Sequence, residues 1–358
     1  MTGGGHLLLD NADAILRLDP GGMLVAVHSL PEQCQEAWRA AQAFELPWRE
    51  RPDRVVVLGM GGSAIAGDYF RALLSLESTV PVFNVRHYAL PAFVDEQTLV
   101  IASSFSGNTE ETLSAFEQAL GTQARKLVIT TGGRLLVTAR ANGVPAFIFA
   151  YQGEPRAAIG WGLMPLLAIA EKLGLMQGVA GDVDEAVTVL SALREECAAH
   201  MPSSSNQAKQ LSLRLHDRLP VIYGGGPLVE VARRWKTQLN ESAKVWAFFE
   251  EMPEAHHNAV VGLGLPEAVA RAATVICLRS ERLDHPRIRL RYELSERLLA
   301  DARVDALRVE ARGESALAQM LSLTVLGDYA AAYLALLYGV DPTPTAVIDE
   351  LKGWLAER

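Results

Sequence analysis

The chain has 358 residues, of which 49% are hydrophobic and 21% are charged, and its formal net charge is −9. A chain of this length buries enough apolar surface to form two domains. The acidic balance argues against a nucleic-acid partner, because Lys and Arg are not concentrated to neutralise phosphates. One basic cluster, residues 287–291, is the exception, and we interpret it as a solvated or subunit-facing surface.

Cysteine usage and the apolar segments predict a cytoplasmic protein without a membrane partner. Cys34, Cys197 and Cys277 lie far apart and lack the close spacing of metal ligands, so we expect reduced thiols in the core. The N-terminus has no basic segment followed by a long apolar one, so no signal peptide is expected. The longest apolar stretch, residues 329–340, is short for a bilayer and predicts a buried core helix.

Alternating strands and helices are predicted after an N-terminal helical region that extends to about residue 46. Short apolar runs predict five strands, at residues 54–60, 80–85, 98–103, 126–131 and 145–150. Strands that alternate with helices indicate βαβ units, a parallel sheet and right-handed connections. The first half of the chain is therefore predicted to be an α/β domain.

The second half repeats this plan after a helical segment without a strand. Its strands are predicted at residues 221–223, 273–278 and 304–309. Its helices are predicted from 227 to about 249, at 288–299, at 314–337 and after 341–344, where Thr343 is the expected N-cap. We predict domains at residues 1–155 and 216–358, joined by a helical bridge at 156–215.

A hydroxyl-rich turn, residues 103–112 (SSFSGNTEET), lies between the third predicted strand and a helix. A helix start offers unpaired backbone N–H groups and the positive end of the helix dipole, which together suit an anion. Ser104, Ser106 and Thr109 add hydroxyl donors, and Gly107 lets the backbone approach closely. An ordinary N-cap uses the same residue types, but the density of hydroxyls favours a phosphate-binding turn.

A glycine-rich turn, residues 59–64 (GMGGSA), follows the first predicted strand. Both turns end strands at the edge where open α/β sheets bind ligands, so Gly62 and Ser63 would contact the same anion. The turn also fits a relaxed dinucleotide-binding pattern, but position 64 is alanine and the expected acidic residue near 80–85 is missing. A phosphate monoester therefore fits these two turns better than a dinucleotide does. No similar hydroxyl cluster follows the triple glycine at 224–226, so we expect one anion site per chain.

Two stretches, GMGGSAIAGD (59–68) and SSFSGNTEET (103–112), resemble those of sugar isomerase (SIS) domains, which bind phosphosugars on a flavodoxin-like sheet. Three more, GEPRAAIGW (153–161), NESAKVWAFFEEMPEAHHN (240–258) and DPTPTAVIDELK (341–352), are similar to those of bifunctional phosphoglucose/phosphomannose isomerases. The resemblance covers nearly the whole chain. It implies an α/β fold of two flavodoxin-like parallel-sheet SIS domains in tandem with flanking helices. It also implies an aldose–ketose isomerase that acts on phosphosugars without a cofactor or metal, as a homodimer.

The resemblance assigns the central chemistry to Glu241 and Arg156. Glu241 would be the base that moves a proton between C2 and C1 of the sugar. From sequence alone, an ion pair with Lys244 one turn away is the alternative. Arg156 would stabilise the negative charge of the enediolate, and an exposed charge near a helix start is its alternative.

The resemblance assigns ring opening to His257 and Lys352. It selects His257 over His256 because the family's histidine precedes an asparagine, here Asn258. From sequence alone, the alternatives are that His257 is a loop histidine and that Lys352 is a surface lysine on the last helix. Thr345 lies two turns before Lys352 on one helix face, so it would line the space that admits both C2 epimers.

Three other functions remain as alternatives. A non-catalytic phosphosugar sensor would share the SIS fold, but no basic helix-turn-helix segment is found, and a sensor would not need the catalytic set. An aminotransferase-type isomerase would carry a glutaminase domain with an N-terminal cysteine, whereas position 2 is threonine. The hypothesis of a dinucleotide-dependent dehydrogenase is supported by the weak glycine pattern alone.

Overall fold

A computed structural model describes residues 3–357 of the chain and contains two compact units, each with its own parallel β-sheet. The first-sheet unit comprises Ser29–Leu190 and Gly313–Gln319. The second-sheet unit comprises the N-terminal residues up to His28, then Ser191–Arg312, and the chain from Met320 onward.

The strands and helices of the described residues follow in chain order. The strands are β1 (Arg54–Leu58), β2 (Val82–Val85), β3 (Thr98–Ser104), β4 (Arg125–Thr130), β5 (Ala146–Ile148), β6 (Leu219–Gly225), β7 (Phe248–Met252), β8 (Ala273–Arg279) and β9 (Asp305–Glu310). The helices are α1 (Gly3–Leu9), α2 (Ala12–Leu18), α3 (Met23–His28), α4 (Leu30–Ala43), α5 (Gly61–Leu74), α6 (Glu110–Leu120), α7 (Gly133–Ala141), α8 (Ile159–Lys172), α9 (Val179–Cys197), α10 (Gln207–Leu215), α11 (Leu228–Glu241), α12 (Glu267–Ala272), α13 (Pro286–Asp301), α14 (Ala316–Leu337) and α15 (Ala346–Ala356). Short 3₁₀ turns lie at Pro155–Ala157, Glu254–His257 and Ala259–Gly262.

The first sheet has the strand order β2-β1-β3-β4-β5, and all its strands are parallel. This is the flavodoxin-like order, in which the chain reverses direction across the sheet between β1 and β3. Every residue of β3 is buried, as expected for a central parallel strand covered on both faces. One core cluster includes Val56 and Val100 of the sheet with Phe116 of α6 and Leu135 of α7. The predicted α/β fold is confirmed.

The second sheet has the order β7-β6-β8-β9, which corresponds to the first four positions of the first sheet. Its strands are also parallel, with Ile222 of β6 opposite Ile276 of β8. Its core contains Tyr223, Cys277 and, from α13, Tyr292. The prediction that the second half repeats the plan of the first is therefore confirmed.

The predicted helix from residue 227 to about 249 is wrong in its last third. Helix α11 ends at Glu241, and the aromatic run after it forms the edge strand β7. Lys244 adopts a left-handed backbone conformation with a φ of 59°, and the Val245 amide donates to the carbonyl of Leu239. This reversal ends the helix and turns the chain back along the sheet. The last helix also begins later than predicted, with Thr345 rather than Thr343 at its N-cap.

The apolar segment at residues 329–340 lies mostly in α14, which is long and apolar enough to span a membrane by length and composition. Its most apolar window is 94% buried, so the prediction of a buried core helix is confirmed. The hydroxyl of Tyr333 on this helix donates to the carbonyl of Cys197. All three cysteines are buried and unpaired, and burial raises the pKa of the Cys34 and Cys277 thiols to about 12.

Candidate functional site

The two candidate turns of the first-sheet unit lie side by side at the carboxyl edge of the sheet. The glycine-rich turn follows β1 and the hydroxyl-rich turn follows β3, and these strands are parallel neighbours with Leu58 opposite Ala102. The Ser63 hydroxyl accepts a hydrogen bond of 3.3 Å from the Phe105 amide, which joins the turns directly. Because the strand order reverses here, the position is the one at which open α/β sheets bind ligands.

The hydroxyl-rich turn is held by its own side chains. The hydroxyls of Ser104 and Thr109 lie 2.9 Å apart, and the Ser104 hydroxyl also accepts from the Gly107 amide at 3.1 Å. The Ser106 hydroxyl accepts from the Asn108 amide at 3.2 Å. A hydroxyl that accepts a hydrogen bond keeps its own proton for donation. The turn thus fixes three hydroxyls next to the start of α6, whose N-cap is Thr109.

The turn that follows β4 packs against the hydroxyl-rich turn and fixes its shape. The Thr131 amide and hydroxyl both donate to the carbonyl of Phe105, and the Leu135 amide donates to the carbonyl of Gly107. Gly107 has a φ of 66°, and a Cβ at this position would lie 1.9 Å from the Gly132 carbonyl oxygen. Only glycine satisfies both the left-handed backbone and this close approach.

We expect Gly107→Ala to lower the free energy of unfolding by about 3 kcal/mol, because it adds backbone strain and a steric clash. Gly143→Ala is the matched control, since Gly143 also has a positive φ, of 65°, but no atom lies within 4 Å of its added Cβ. That control should lose only about 1 kcal/mol. Urea unfolding of both variants measures the difference, and equal losses would show that the close approach to Gly132 is unimportant.

The glycine-rich turn brings the segment around Arg156 against the start of α5. A Cβ on Gly62 would lie 2.7 Å from the carbonyl oxygen of Pro155 and 3.4 Å from the Cα of Arg156. One small pocket is lined by Gly62, Ser63, Phe105 and Pro155, among others. The structure therefore brings the predicted residues of the two turns together with the Arg156 segment.

The Arg156 side chain is not the exposed charge that sequence alone left open, because it is only 5% exposed. Its Nη1 donates to Glu154 at 3.0 Å. The backbone of Arg156 lies against the glycine-rich turn, and its buried guanidinium is paired with the Glu154 carboxylate. A low-dielectric setting strengthens the electrostatic effect of a buried guanidinium on a neighbouring anion.

A buried ion pair under the glycine-rich turn was not found from the sequence. Asp68 of α5 is 3% exposed and forms an ion pair with Arg86, which follows β2. Asn84 of β2 donates to Asp68 and to the carbonyl of Ala64, both at 2.6 Å. These bonds tie the first turn of α5 to the edge strand. Asp68 lies five residues after Ser63, but an aspartate inside a helix gives no sequence signal of this role.

Glu241 and Thr345 belong to the second-sheet unit, where Lys244 links the segments that carry them. The ammonium of Lys244 donates to the carbonyl oxygens of Glu241, Pro344 and Pro342, at 2.5, 2.7 and 3.3 Å. The end of α11 is thereby fastened to the segment that enters α15. Glu241 itself is partly exposed at the last position of α11.

The two adjacent histidines have different surroundings. His256 is partly buried, and its Nε2 lies 2.7 Å from the Ser295 hydroxyl on α13. Burial lowers the pKa of His256, and the positive charges of Arg291 and His257 lower it further. His257 is exposed, and the side chain of Asn258 bridges Glu254 and the Ala259 amide. The exposed member of the pair is the one that the family pattern selects.

Lys352 lies on α15, whose side chains from Ala346 to Leu355 are exposed. Its ammonium lies 3.6 Å from Asp349 on the same helix, and both side chains are about seven-tenths exposed. The structure thus shows Lys352 as the surface lysine of the alternative interpretation, with Asp349 as its partner. Among residues 3–357, no group of three or more His, Cys, Asp and Glu side chains is arranged to hold a metal ion.

Comparisons with known proteins agree with this arrangement of two sheets. A family model described as the bacterial phospho-glucose isomerase C-terminal SIS domain matches residues 204–355, and a SIS domain model matches residues 50–136. The crystal structure of a hypothetical protein from Thermus thermophilus superposes with a TM-score of 0.78 at 20% identity. The superposition covers 100% of this chain and 96% of that one, and at this identity it supports the fold alone.

Curated relatives are closer in sequence. The chain is 41% identical over 337 residues to the bifunctional phosphoglucose/phosphomannose isomerase of Caldicellulosiruptor bescii, with 94% of this chain and 99% of the relative covered. It is 36% identical to the protein of the same name from Aquifex aeolicus, with 83% and 89% covered. The chain therefore belongs to the bifunctional phosphoglucose/phosphomannose isomerase family.

Proposed function

We propose that the chain is an aldose–ketose isomerase that interconverts glucose 6-phosphate and mannose 6-phosphate with fructose 6-phosphate. The observation that carries this proposal is the hydroxyl-rich turn at the reversal point of the first sheet, in a chain of this family. The hydroxyls of Ser104, Ser106 and Thr109, the start of α6, and Gly62 and Ser63 would bind the phosphate group. A dianion suits this position because helix N-termini and hydroxyls both present donors to it.

The reaction moves one proton from C2 to C1 and a second from the C2 hydroxyl to the C1 oxygen. It needs no external oxidant, because C1 is reduced as C2 is oxidised within the same sugar. Glu241 would remove the proton from C2 of the open-chain aldose and return it to C1. The enediolate that forms between these steps carries negative charge on its oxygens. Arg156, which is buried and always charged, would stabilise that charge.

Ring opening requires a proton to leave the anomeric hydroxyl and another to reach the ring oxygen. His257 and Lys352 would carry out these transfers, because an imidazole can both accept and donate a proton and an ammonium group is a proton donor. Lys352 would then exchange its surface partner Asp349 for the sugar. Thr345 would line the space in which the enediol turns about its C2–C3 bond. Such a turn lets one base protonate either face and so produce both epimers.

We also propose that the chain works as a cytoplasmic homodimer, and that the predicted division at residues 155 and 215 separates the segments that carry the two sheets. Helices from outside these segments complete the two compact units. Support for a second copy comes from α15, on which Val347, Leu351 and Trp354 are 78%, 51% and 57% exposed. Apolar side chains of this size are normally covered in a stable assembly. Sedimentation at micromolar concentration should give twice the mass of the chain, and a monomer would contradict this part of the proposal.

A coupled assay tests the activity itself. With fructose 6-phosphate as substrate, glucose 6-phosphate and mannose 6-phosphate should both form, each detected by its own coupling enzymes. No metal or cofactor should be needed, so activity should survive treatment with EDTA. Thermal stabilisation by fructose 6-phosphate without turnover would instead identify a phosphosugar-binding protein that has no isomerase activity.

A further inference from the structure

The carboxyl edge of the second sheet carries a cavity of about 460 Å³ that the proposed isomerase site does not use. It lies where β8 and β9 end, beside the first half of α13. Strand β8 pairs with β6, and the strand order of this sheet reverses between them. The cavity therefore lies at the end of β8, the strand that corresponds to β3 and its hydroxyl-rich turn in the first sheet, on the side of β8 that faces β9.

Arg279, the last residue of β8, lines this cavity with hydrogen-bonding capacity that the protein leaves unused. Its side chain is 9% exposed, and within the described part of the chain its Nε and Nη1 have no hydrogen-bond partner. Its guanidinium lies 5.0 Å from the ring centre of Tyr292. Leaving a buried charged donor without an acceptor destabilises the folded protein. An acceptor bound in the cavity would remove this destabilisation.

The nearest carboxylate does not provide that acceptor. Glu296 lies 3.8 Å from Nη1 of Arg279, which balances charge but is too long for a hydrogen bond. Both oxygens of Glu296 instead accept from Arg308, in three hydrogen bonds of 2.7–3.0 Å. A fork of this kind is among the strongest side-chain pairs. Arg308 is thus satisfied by Glu296, and Arg279 remains available to a ligand.

Two further buried polar atoms at this edge have no hydrogen-bond partner among the residues that the structure describes. They are Oδ1 of Asp284 and the hydroxyl of Tyr292. Both surround Gly225 at the end of β6, where an added Cβ would lie 3.4 Å from the Tyr292 hydroxyl and 3.6 Å from Asp284 Oδ1. Burial raises the pKa of Asp284 to about 6, and Arg279 opposes that shift. Unsatisfied donors and acceptors therefore occur together at these strand ends, as in a ligand site rather than a packed core.

The charges on the cavity wall indicate what kind of ligand would fit. Arg279 and Arg289 provide guanidinium groups, which match the geometry of a carboxylate or phosphate. Glu281, Glu293 and Glu310 also line the cavity and repel extended polyanions such as nucleic acid. Their oxygens accept hydrogen bonds, and sugar hydroxyls are suitable donors.

We propose that this cavity is a second ligand site, which binds a small polyhydroxylated anion through Arg279 and Arg289. The anionic group is a carboxylate or a phosphate, and the hydroxyls of the ligand donate to the glutamates. This proposal departs from the expectation from sequence of one anion site per chain. The triple glycine at the end of β6 has no hydroxyl cluster beside it, but the end of β8 supplies arginine instead.

Calorimetric titration of the full chain tests the proposal with four probes. Gluconate and fructose 6-phosphate carry hydroxyls with a carboxylate or a phosphate, inorganic phosphate has no hydroxyl chain, and sorbitol has no charge. At least one of the first two should bind with a dissociation constant that rises tenfold or more in Arg279→Met. The one whose binding depends on Arg279 identifies the anionic group, because binding at the hydroxyl-rich turn should be insensitive to this variant. Binding of sorbitol or of inorganic phosphate that weakens as much in Arg279→Met would overturn the proposed ligand class.

Control variants separate this site from the hydroxyl-rich turn. Arg279→Met keeps an apolar side chain against Tyr292. Arg289→Met changes a partly exposed side chain, so its effect on ligand binding tests the site if Arg279→Met does not fold. The double variant Ser104→Ala with Ser106→Ala should leave the arginine-dependent binding unchanged. Binding that is insensitive to both arginine variants but lost in the serine variant would overturn the second site without affecting the proposed isomerase.

Discussion

Glu241→Gln should reduce kcat for isomerisation of fructose 6-phosphate by about 10³-fold or more while the phosphosugar still binds. A general base contributes roughly 10²–10⁴-fold, and here the same group both removes and returns the proton. Glutamine keeps the size and hydrogen-bonding shape of the side chain but cannot accept the proton. The phosphate is held elsewhere, so the affinity for sorbitol 6-phosphate, which has no carbonyl to isomerise, should change less than threefold.

Hydrogen exchange with solvent provides a second measurement of the same step. The unmodified protein should incorporate deuterium from D₂O at C1 or C2 of the sugar, and Glu241→Gln should lose this exchange together with turnover. Glu117→Gln is the control, because Glu117 is an exposed side chain on α6 and its loss changes the net charge equally. If Glu241→Gln retained full exchange and turnover, Glu241 would have no part in proton transfer.

The double variant Ser104→Ala with Ser106→Ala should raise KM by about 10²-fold or more and change kcat by less than about threefold. Each hydroxyl bound to a charged group contributes roughly 1.5–3 kcal/mol. The phosphate is remote from C1 and C2, so most of this energy is lost equally from the bound substrate and the transition state. Inorganic phosphate should also become a weaker competitive inhibitor of the variant.

Ser75→Ala is the matched control for the serine variants. Ser75 follows the last residue of α5, at the opposite end of that helix from the glycine-rich turn, roughly 20 Å away for a helix of this length. The substitution removes one hydroxyl, which donates to the carbonyl of Ala72. The KM of this control variant should stay unchanged. A fall in kcat with an unchanged KM in the double serine variant would show that these hydroxyls act on the reacting carbons rather than on the phosphate.

The strand, the hydroxyl-rich turn and the helix after it could be predicted because all of their signals are local. A buried strand, a run of hydroxyls and a helix start are adjacent in sequence, and the parallel order of β1 and β3 then brings Ser63 to the amide of Phe105. The sequence could predict that the backbone at Gly107 approaches another group closely. It could not predict that this group is the carbonyl of Gly132, 25 residues later.

Strand β7 and the role of Lys244 depend on contacts that are distant in sequence. The run after Glu241 has the composition of either a helix or an edge strand, and pairing with β6 decides between them. Lys244 was expected only as a possible partner of Glu241, whereas its ammonium also binds carbonyls about 100 residues later. A single sequence contains no signal for such pairs.

The cavity at the second sheet could not be predicted from hydroxyl-rich turns, because its buried donor is an arginine. Arg279 ends β8 and Ser280 follows it, whereas Ser103 and Ser104 both lie within β3. The importance of Arg279 depends on Glu296 being bound to Arg308, a three-residue arrangement that only the folded chain reveals.

The most direct measurement is a crystal structure of the protein with sorbitol 6-phosphate or fructose 6-phosphate. The proposed function predicts that the phosphate oxygens lie within about 3.2 Å of the hydroxyls of Ser104, Ser106 and Thr109, a normal hydrogen-bond length, at the start of α6. A phosphosugar bound in full with its phosphate at any other position, and with these hydroxyls bound only to one another and to the backbone, would contradict the assignment of the turn and the isomerase mechanism built on it.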